Sequence, residues 1–272
     1  KKVAATHAHA SAIGDFNNDG IDDLSIFWSD LRTSENQDDQ GYYGAPDWSN
    51  VLLGPVNLSD PVYLDSPKWK TLPAPFYGPL NVNYNDAASG DLDGDGFDDL
   101  VVASTRKTPY YAGRHVQILM SAGDGTFADE TITRFEVQPR AALDPTLGAG
   151  VTGIGEGVII LRDIDMDGDL DIIDTTAIYG GSGFEVYPRI TLALNDGGGI
   201  FTEVTEGFFP KRMDFSYFNG YSVMGTSGTP VIQRSGVVDL DGSGWLDFVS
   251  HIYGNFGNDS SVVSTQSFIS KK

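Results

Sequence analysis

The chain has 272 residues, 40% hydrophobic and 11% aromatic, enough for a substantial core, and repetitive all-β domains of this length fold as one unit. Its formal net charge of −21 denies it the basic footprint that nucleic acid or an anionic membrane surface needs. It has no cysteine, which excludes disulfides and thiolate chemistry, and no run of eighteen apolar residues, so no membrane insertion is expected.

The sequence opens at Lys1 without methionine or a leader, which reads as a processed or trimmed chain, secreted or cell-surface. His7 and His9 alternate and would share a face in a strand; ordinary strand residues are the preferred reading. Next comes an acidic loop, Asp15-Phe-Asn-Asn-Asp-Gly-Ile-Asp-Asp23, followed by the short apolar run Leu24-Ser-Ile-Phe-Trp28. An insertion at 31–50 is a solvated excursion or a binding loop on a rigid scaffold. Asn57 and Asn258 head glycosylation sequons.

The loop grammar returns at Asp91-Leu-Asp-Gly-Asp-Gly-Phe-Asp-Asp99, with Leu100-Val-Val-Ala103 behind it. A third strand is expected at His115-Val-Gln-Ile-Leu-Met120 and an outer one at Phe127-Ala-Asp-Glu-Thr131. Gly148-Ala-Gly-Val-Thr-Gly153 matches a dinucleotide fingerprint in letters only, lacking the strand and helix, and reads as a loop. Gly155-Glu-Gly-Val-Ile-Ile-Leu161 reads as the inner strand before a third loop, Asp163-Ile-Asp-Met-Asp-Gly-Asp-Leu-Asp171. Its later strands are Arg189-Ile-Thr-Leu-Ala-Leu194 and Phe201-Thr-Glu-Val-Thr205. Aromatics at 213–221, with Tyr110 and Tyr111, read as packing residues rather than a sugar platform. A strand at 232–238 precedes the fourth loop, Asp239-Leu-Asp-Gly-Ser-Gly-Trp-Leu-Asp247, and 263–269 is its third strand.

Oxygen-bearing side chains stand at positions 1, 3, 5 and 9 of all four loops, and glycine at position 6. Calcium takes six to eight oxygens at about 2.3–2.6 Å, and a main-chain carbonyl at position 7 can join the side chains. Glycine permits the sharp turn that a Cβ would obstruct. A solvated acidic turn would explain one copy, but four in register, starting at 15, 91, 163 and 239, point to metal. An EF-hand needs an acid at position 12 and flanking helices. Position 12 is Ile26, Val102, Asp174 and Ser250, and the flanks are rich in β-formers, so calcium is expected between strands. The four sets carry −14 of charge, whose mutual repulsion four calcium ions would relieve.

Spacings of 72–76 residues between loops indicate a repeat architecture of four-stranded units. Ile13-Gly-Asp-Phe-Asn-Asn-Asp-Gly-Ile-Asp-Asp-Leu24 and Leu194-Asn-Asp-Gly-Gly-Gly-Ile-Phe-Thr-Glu-Val-Thr205 resemble the two halves of an FG-GAP/VCBS repeat. That family includes the calcium-binding propeller of integrin α subunits and many secreted bacterial proteins. The resemblance covers nearly the whole chain. It implies an all-β fold, a single β-propeller of four-stranded antiparallel blades, with Ca2+ in the loops joining the first two strands of each.

By position it implies as ligands Asp15, Asn17, Asp19, the Ile21 carbonyl and Asp23 in loop 1, and Asp91, Asp93, Asp95, the Phe97 carbonyl and Asp99 in loop 2. Loop 3 offers Asp163, Asp165, Asp167, the Asp169 carbonyl and Asp171; loop 4 offers Asp239, Asp241, Ser243, the Trp245 carbonyl and Asp247. Ser243 departs from the usual acid. The units run over about 8–80, 81–152, 153–228 and 229–272, and the last lacks an outer strand. Residues 2–7 closing the ring is the favoured solution, against a longer parent chain or a strand donated by a neighbour.

Two function classes follow. The leading one is a non-enzymatic extracellular module for adhesion, recognition or assembly, with structural calcium and a protein or glycan partner at the blade loops. The alternatives are a calcium-dependent polysaccharide-active enzyme, since some polysaccharide lyases are propellers resembling this repeat, or a filament or surface-layer subunit joined by strand donation.

Overall fold

The computed structural model describes residues 8–28, 49–55, 66–78, 81–106, 112–135, 153–154, 157–178, 187–204, 231–240, 242, 246–253 and 264–268. The fold is all-β, and each expected unit is an antiparallel sheet whose strands neighbour one another in chain order. The first sheet contains β1 (Ala8–Gly14), β2 (Asp23–Trp28), β3 (Asn50–Leu52) and β4 (Trp69–Thr71). The second contains β5 (Val82–Gly90), β6 (Asp99–Arg106), β7 (Ala112–Ser121) and β8 (Phe127–Asp129), then one helical turn, α1 (Thr131–Arg134). The third has β9 (Gly153–Ile154) and β10 (Ile159–Arg162), both paired to β11 (Asp171–Ile178), then β12 (Tyr187–Asn195) and β13 (Phe201–Glu203). The fourth shows β14 (Val231–Val238), β15 (Asp247–Tyr253) and β16 (Ser264–Phe268), the last where a third strand was expected. Every acidic loop joins the first two long strands of its sheet.

Burial on both faces explains the unbroken apolar runs after the loops. Successive side chains of a strand point to opposite sides. In β6, Leu100 and Val102 enter a core shared with the first sheet, through Phe16, Phe27 and Val51. Val101 and Ala103 enter a second core shared with the third sheet, through Ile159, Ile172 and Phe201. A strand wedged between two neighbouring sheets has no solvent face, so it reads as continuous hydrophobicity rather than alternation. The first strands bring the sheets together: β1 packs on β5, β10 on β5, and β14 on β10 and β11.

That succession does not return to β1 with comparable packing among the described residues. The proposed closing strand at 2–7 lies outside them, as do 29–48, Tyr110, Tyr111, 213–221, both sequons and His7.

Local chemistry amends three expectations. The strand expected at 127–131 ends at Asp129, because its carboxylate accepts both the N–H and the hydroxyl of Thr131 and turns the chain into α1. Gly153, expected in a loop, opens β9 by pairing with Ile178. The alternation expected around His9 is interrupted, because pairing shifts between Ala8 and Ala10 and makes His9 the extra residue of a bulge. The same shift occurs between Tyr84 and Asp86 in β5 and between Ile232 and Arg234 in β14. In each case the bulged residue precedes the loop's first aspartate by six positions.

Candidate metal centres

Loops 1, 2 and 3 share one hydrogen-bond scheme. The position 1 carboxylate accepts the N–H groups of positions 5 and 6: Asp15 from Asp19 (3.0 Å) and Gly20 (2.8 Å), Asp91 from Asp95 (3.1 Å) and Gly96 (3.0 Å), Asp163 from Asp167 and Gly168 (both 3.1 Å). The position 5 carboxylate then accepts the N–H of position 7, from Ile21 and Phe97 at 2.9 Å and from Asp169 at 3.1 Å. This wrapping needs left-handed backbone twice. Position 6 supplies it at Gly20, Gly96 and Gly168, with φ of 80°, 90° and 104°. Position 4 supplies it too, at Asn18 (53°), Gly94 (76°), Met166 (65°) and Gly242 (72°). Sequence reasoning missed this second demand, since Met166 gives no sign of it.

Position 9 differs from the other expected ligand positions in being buried. Asp23, Asp99, Asp171 and Asp247 are each exposed by 1% or less. One oxygen accepts the N–H of loop position 2: Phe16, Leu92, Ile164 and Leu240 donate to these four at 2.7–3.1 Å. The other accepts an N–H near the end of the third strand, from Gly54 to Asp23 (2.7 Å), Ser121 to Asp99 (2.8 Å) and Asn195 to Asp171 (2.9 Å). Burial pushes the Asp99 carboxyl up to about 7 and that of Asp171 to about 6. The two N–H donors oppose the shift, and the neighbouring position 3 and 5 carboxylates add to it. Asp23 is raised for the same leading reason.

Three carboxylate oxygens converge in two of the loops. Oxygens of Asp91, Asp93 and Asp99 lie within 4.8 Å of one another, and so do those of Asp163, Asp165 and Asp171. In each trio the position 3 aspartate keeps one buried oxygen, Asp93 Oδ1 or Asp165 Oδ1, with no hydrogen-bond partner. A buried carboxylate oxygen left unpaired is costly unless a cation or a proton satisfies it. All-oxygen donors of this charge suit a hard divalent cation. Asp95 and Asp167 at position 5 stand outside these tight trios and are exposed. Loop 1 forms no such trio, because its position 3 residue is Asn17, whose amide donates to Asp19. In loop 4 only Asp239 and Asp247 fall among the described residues; Asp241, Ser243 and Trp245 do not.

Loops 1 and 2 are also bolted to the following sheet by residues outside the expected ligand positions. Asp98 accepts the N–H of Asp15 at 2.9 Å and donates its own to the Asp15 carbonyl at 3.2 Å. A Cβ at Gly14 would sit 2.6 Å from Asp98 Oδ2, so that approach requires glycine. The Ser121 hydroxyl donates to the Phe16 carbonyl, and Asn195 Nδ2 donates to the Leu92 carbonyl, both at 2.8 Å. Ser121 and Asn195 stand 74 residues apart, and that repeat spacing was the available signal.

Two other polar clusters lie away from the loops. Asp174, the acid at position 12 of loop 3, is engaged by Arg114 of β7, whose Nε and Nη2 reach Asp174 Oδ1 at 2.8 and 2.6 Å. Both side chains are buried, so Asp174 joins two sheets instead of closing an EF-hand. Asp86 stands beside this pair, its carboxyl raised by burial against the pull of the Ile159 N–H and Arg114. His115 stacks on Phe76 at 3.7 Å between ring centroids, and burial lowers its pKa to about 4.

Residues 91–173 match the family model of the FG-GAP-like repeat. The match runs from the first ligand position of loop 2 to two residues beyond the last of loop 3, one full period of the chain. No curated protein matches the chain. Loop grammar, antiparallel sheets and this matched period agree: residues 91–173 of the chain are an FG-GAP-like repeat.

Proposed function

We propose that the chain is a calcium-stiffened β-propeller module that serves adhesion, recognition or assembly outside the cell without catalysis. FG-GAP repeats are typical of extracellular proteins, and among the described residues no helix is long and apolar enough to cross a membrane. The observation that carries the reading is the pair of carboxylate trios, each with a buried, unpaired oxygen on its position 3 aspartate. Calcium bound there removes the repulsion among like charges and ties β5 to β6 and β10 to β11 at their shared loops. Loops 1 and 4 hold further ions with the ligand sets their motifs offer, giving up to four structural Ca2+. The successive packing of first strands is what blades of a propeller require. A protein or glycan then binds across the loops that connect blades.

Calcium titration followed by calorimetry tests this. The melting temperature is expected to rise with calcium and to fall by about 10 °C or more in excess chelator, in keeping with a ligand that binds only the native state. A melting curve identical in both, with the metal shown to be absent after chelation, rejects the reading. Turnover of any member of a panel of plant, algal and bacterial polysaccharides would replace it with the enzymatic one.

A further inference from the structure

The loops differ in what faces their third position. In loop 1 it is the neutral amide of Asn17. In loop 3 it is Asp165, and among the described residues no basic side chain bonds it. In loop 2 it is Asp93, and Arg134 reaches it from α1. Arg134 Nη2 pairs with Asp93 Oδ2 at 3.0 Å, Nε with Glu130 Oε2 at 2.8 Å, and Nη1 donates to the Gly198 carbonyl at 2.8 Å. The guanidinium is 14% exposed and wedged between loop 2 and the turn that joins β12 to β13. Gly199, with φ of 76°, makes room for it: a Cβ there would collide with Arg134 Nη1 and come within 3.2 Å of Asp93 Cβ. At the matching turn one sheet earlier, the equivalent Gly125 abuts the apolar side chain of Leu53.

We propose that Arg134 is a built-in counter-cation of loop 2, which occupies one oxygen of Asp93, locks the third sheet's turn against the loop, and makes this loop bind calcium more weakly than loop 3. The proposal rests on the calcium reading above. Physically, a fixed guanidinium relieves carboxylate crowding when no metal is bound, so the metal-free loop is already ordered. The same positive charge opposes a dication bound to the remaining Asp93 oxygen. Loop 3, with four carboxylates at positions 1, 3, 5 and 9 and no such partner among the described residues, fills first. Loop 2 fills later, and its occupancy is coupled to the joint between second and third sheets through Gly198.

Nuclear magnetic resonance of the full chain resolves the loops separately, because Gly96 and Gly168 each donate their amide to their own loop's first aspartate. Calcium titration of the wild type is expected to move the Gly168 amide before that of Gly96. Arg134→Gln should shift the Gly96 midpoint to about tenfold lower calcium and leave Gly168 in place, as expected for one unit charge a few ångströms from a dication in a solvated loop. Arg134→Lys, which keeps the charge, should retain the wild-type order. If Gly96 moves with or before Gly168 in the wild type, the proposal is overturned without any variant needing to fold. It is equally overturned if Arg134→Gln moves the Gly96 midpoint to higher calcium, since Arg134 would then be preparing Asp93 for the ion. If neither amide moves at any calcium concentration, the calcium reading itself falls and takes the proposal with it.

Discussion

Position 9 aspartates carry two duties that pull in different directions. Their oxygens hold backbone N–H groups from two strands, which fixes the hairpin, and burial keeps Asp99 and Asp171 protonated to about pH 7 and 6 in the absence of metal. The unfolded chain releases those protons near 3.8. Between these values the native state binds more protons, so this contribution is fully present below about pH 4 and is lost as pH rises through about 6 to 7. On the calcium reading proposed above, protons and calcium would compete for the same oxygens, and stabilisation by calcium would grow over that window. Melting temperatures with and without calcium at pH 5 and pH 8 should therefore show a small gap at the lower pH and a larger one at the higher.

Two substitutions separate the duties. Asp99→Asn leaves one of the Leu92 and Ser121 N–H groups without an acceptor and should cost about 1–3 kcal/mol in urea denaturation even without metal. Asp165→Asn removes crowded charge from an oxygen that has no partner. Metal-free stability should then stay level or rise, while the calcium-induced gain of loop 3 disappears.

At the scale of elements, the central strands matter because they are buried on both sides. Ile118 in β7 is fully buried and belongs to the core between the second and third sheets. Ile118→Ala should destabilise the protein by about 2–5 kcal/mol, measured as a lower urea midpoint with unchanged slope. The repeated bulge six residues before loops 1, 2 and 4 is a second element-scale device. It increases the local twist of β1, β5 and β14 where neighbouring first strands meet. Strand positions were readable from apolar runs and turn residues, and most boundaries moved by only one to three residues. The bulges were not readable, because His9, Asn85 and Gln233 share no side-chain chemistry and the shift exists only in the pairing with the second strand.

For the whole molecule, the sheets form a chain of contacts in which the second residue of loops 1 and 2 is covered by the sheet that follows. Phe16 and Leu92 are buried in this way at 0% and 2% exposure, whereas Leu240 is 58% exposed. Joints between sheets share one device, a bond from Ser121 or Asn195 to the carbonyl of the preceding loop's second residue, and add others: Asp98 between the first and second, Arg114 and Arg134 between the second and third. Loss of calcium should therefore loosen the sheets relative to one another before it unravels them. Hydrogen exchange in excess chelator should show earlier deprotection at the loop and joint amides, such as Asp15 and Gly96, than in the central strands β6 and β7.

Nine consecutive residues suffice to write an acidic loop wrapped on itself, because short aspartate stems fold back on their own backbone and glycine permits the turn. That is why loop position, strand class and repeat period could be read from the linear chain. The convergence of particular carboxylates, the burial of position 9, and the partners Arg114 for Asp174 and Arg134 for Asp93 could not. The two arginine pairs join residues 41 and 60 positions apart, which meet only when one sheet packs against the next, and position 9 is buried and bonded by a strand outside its own loop.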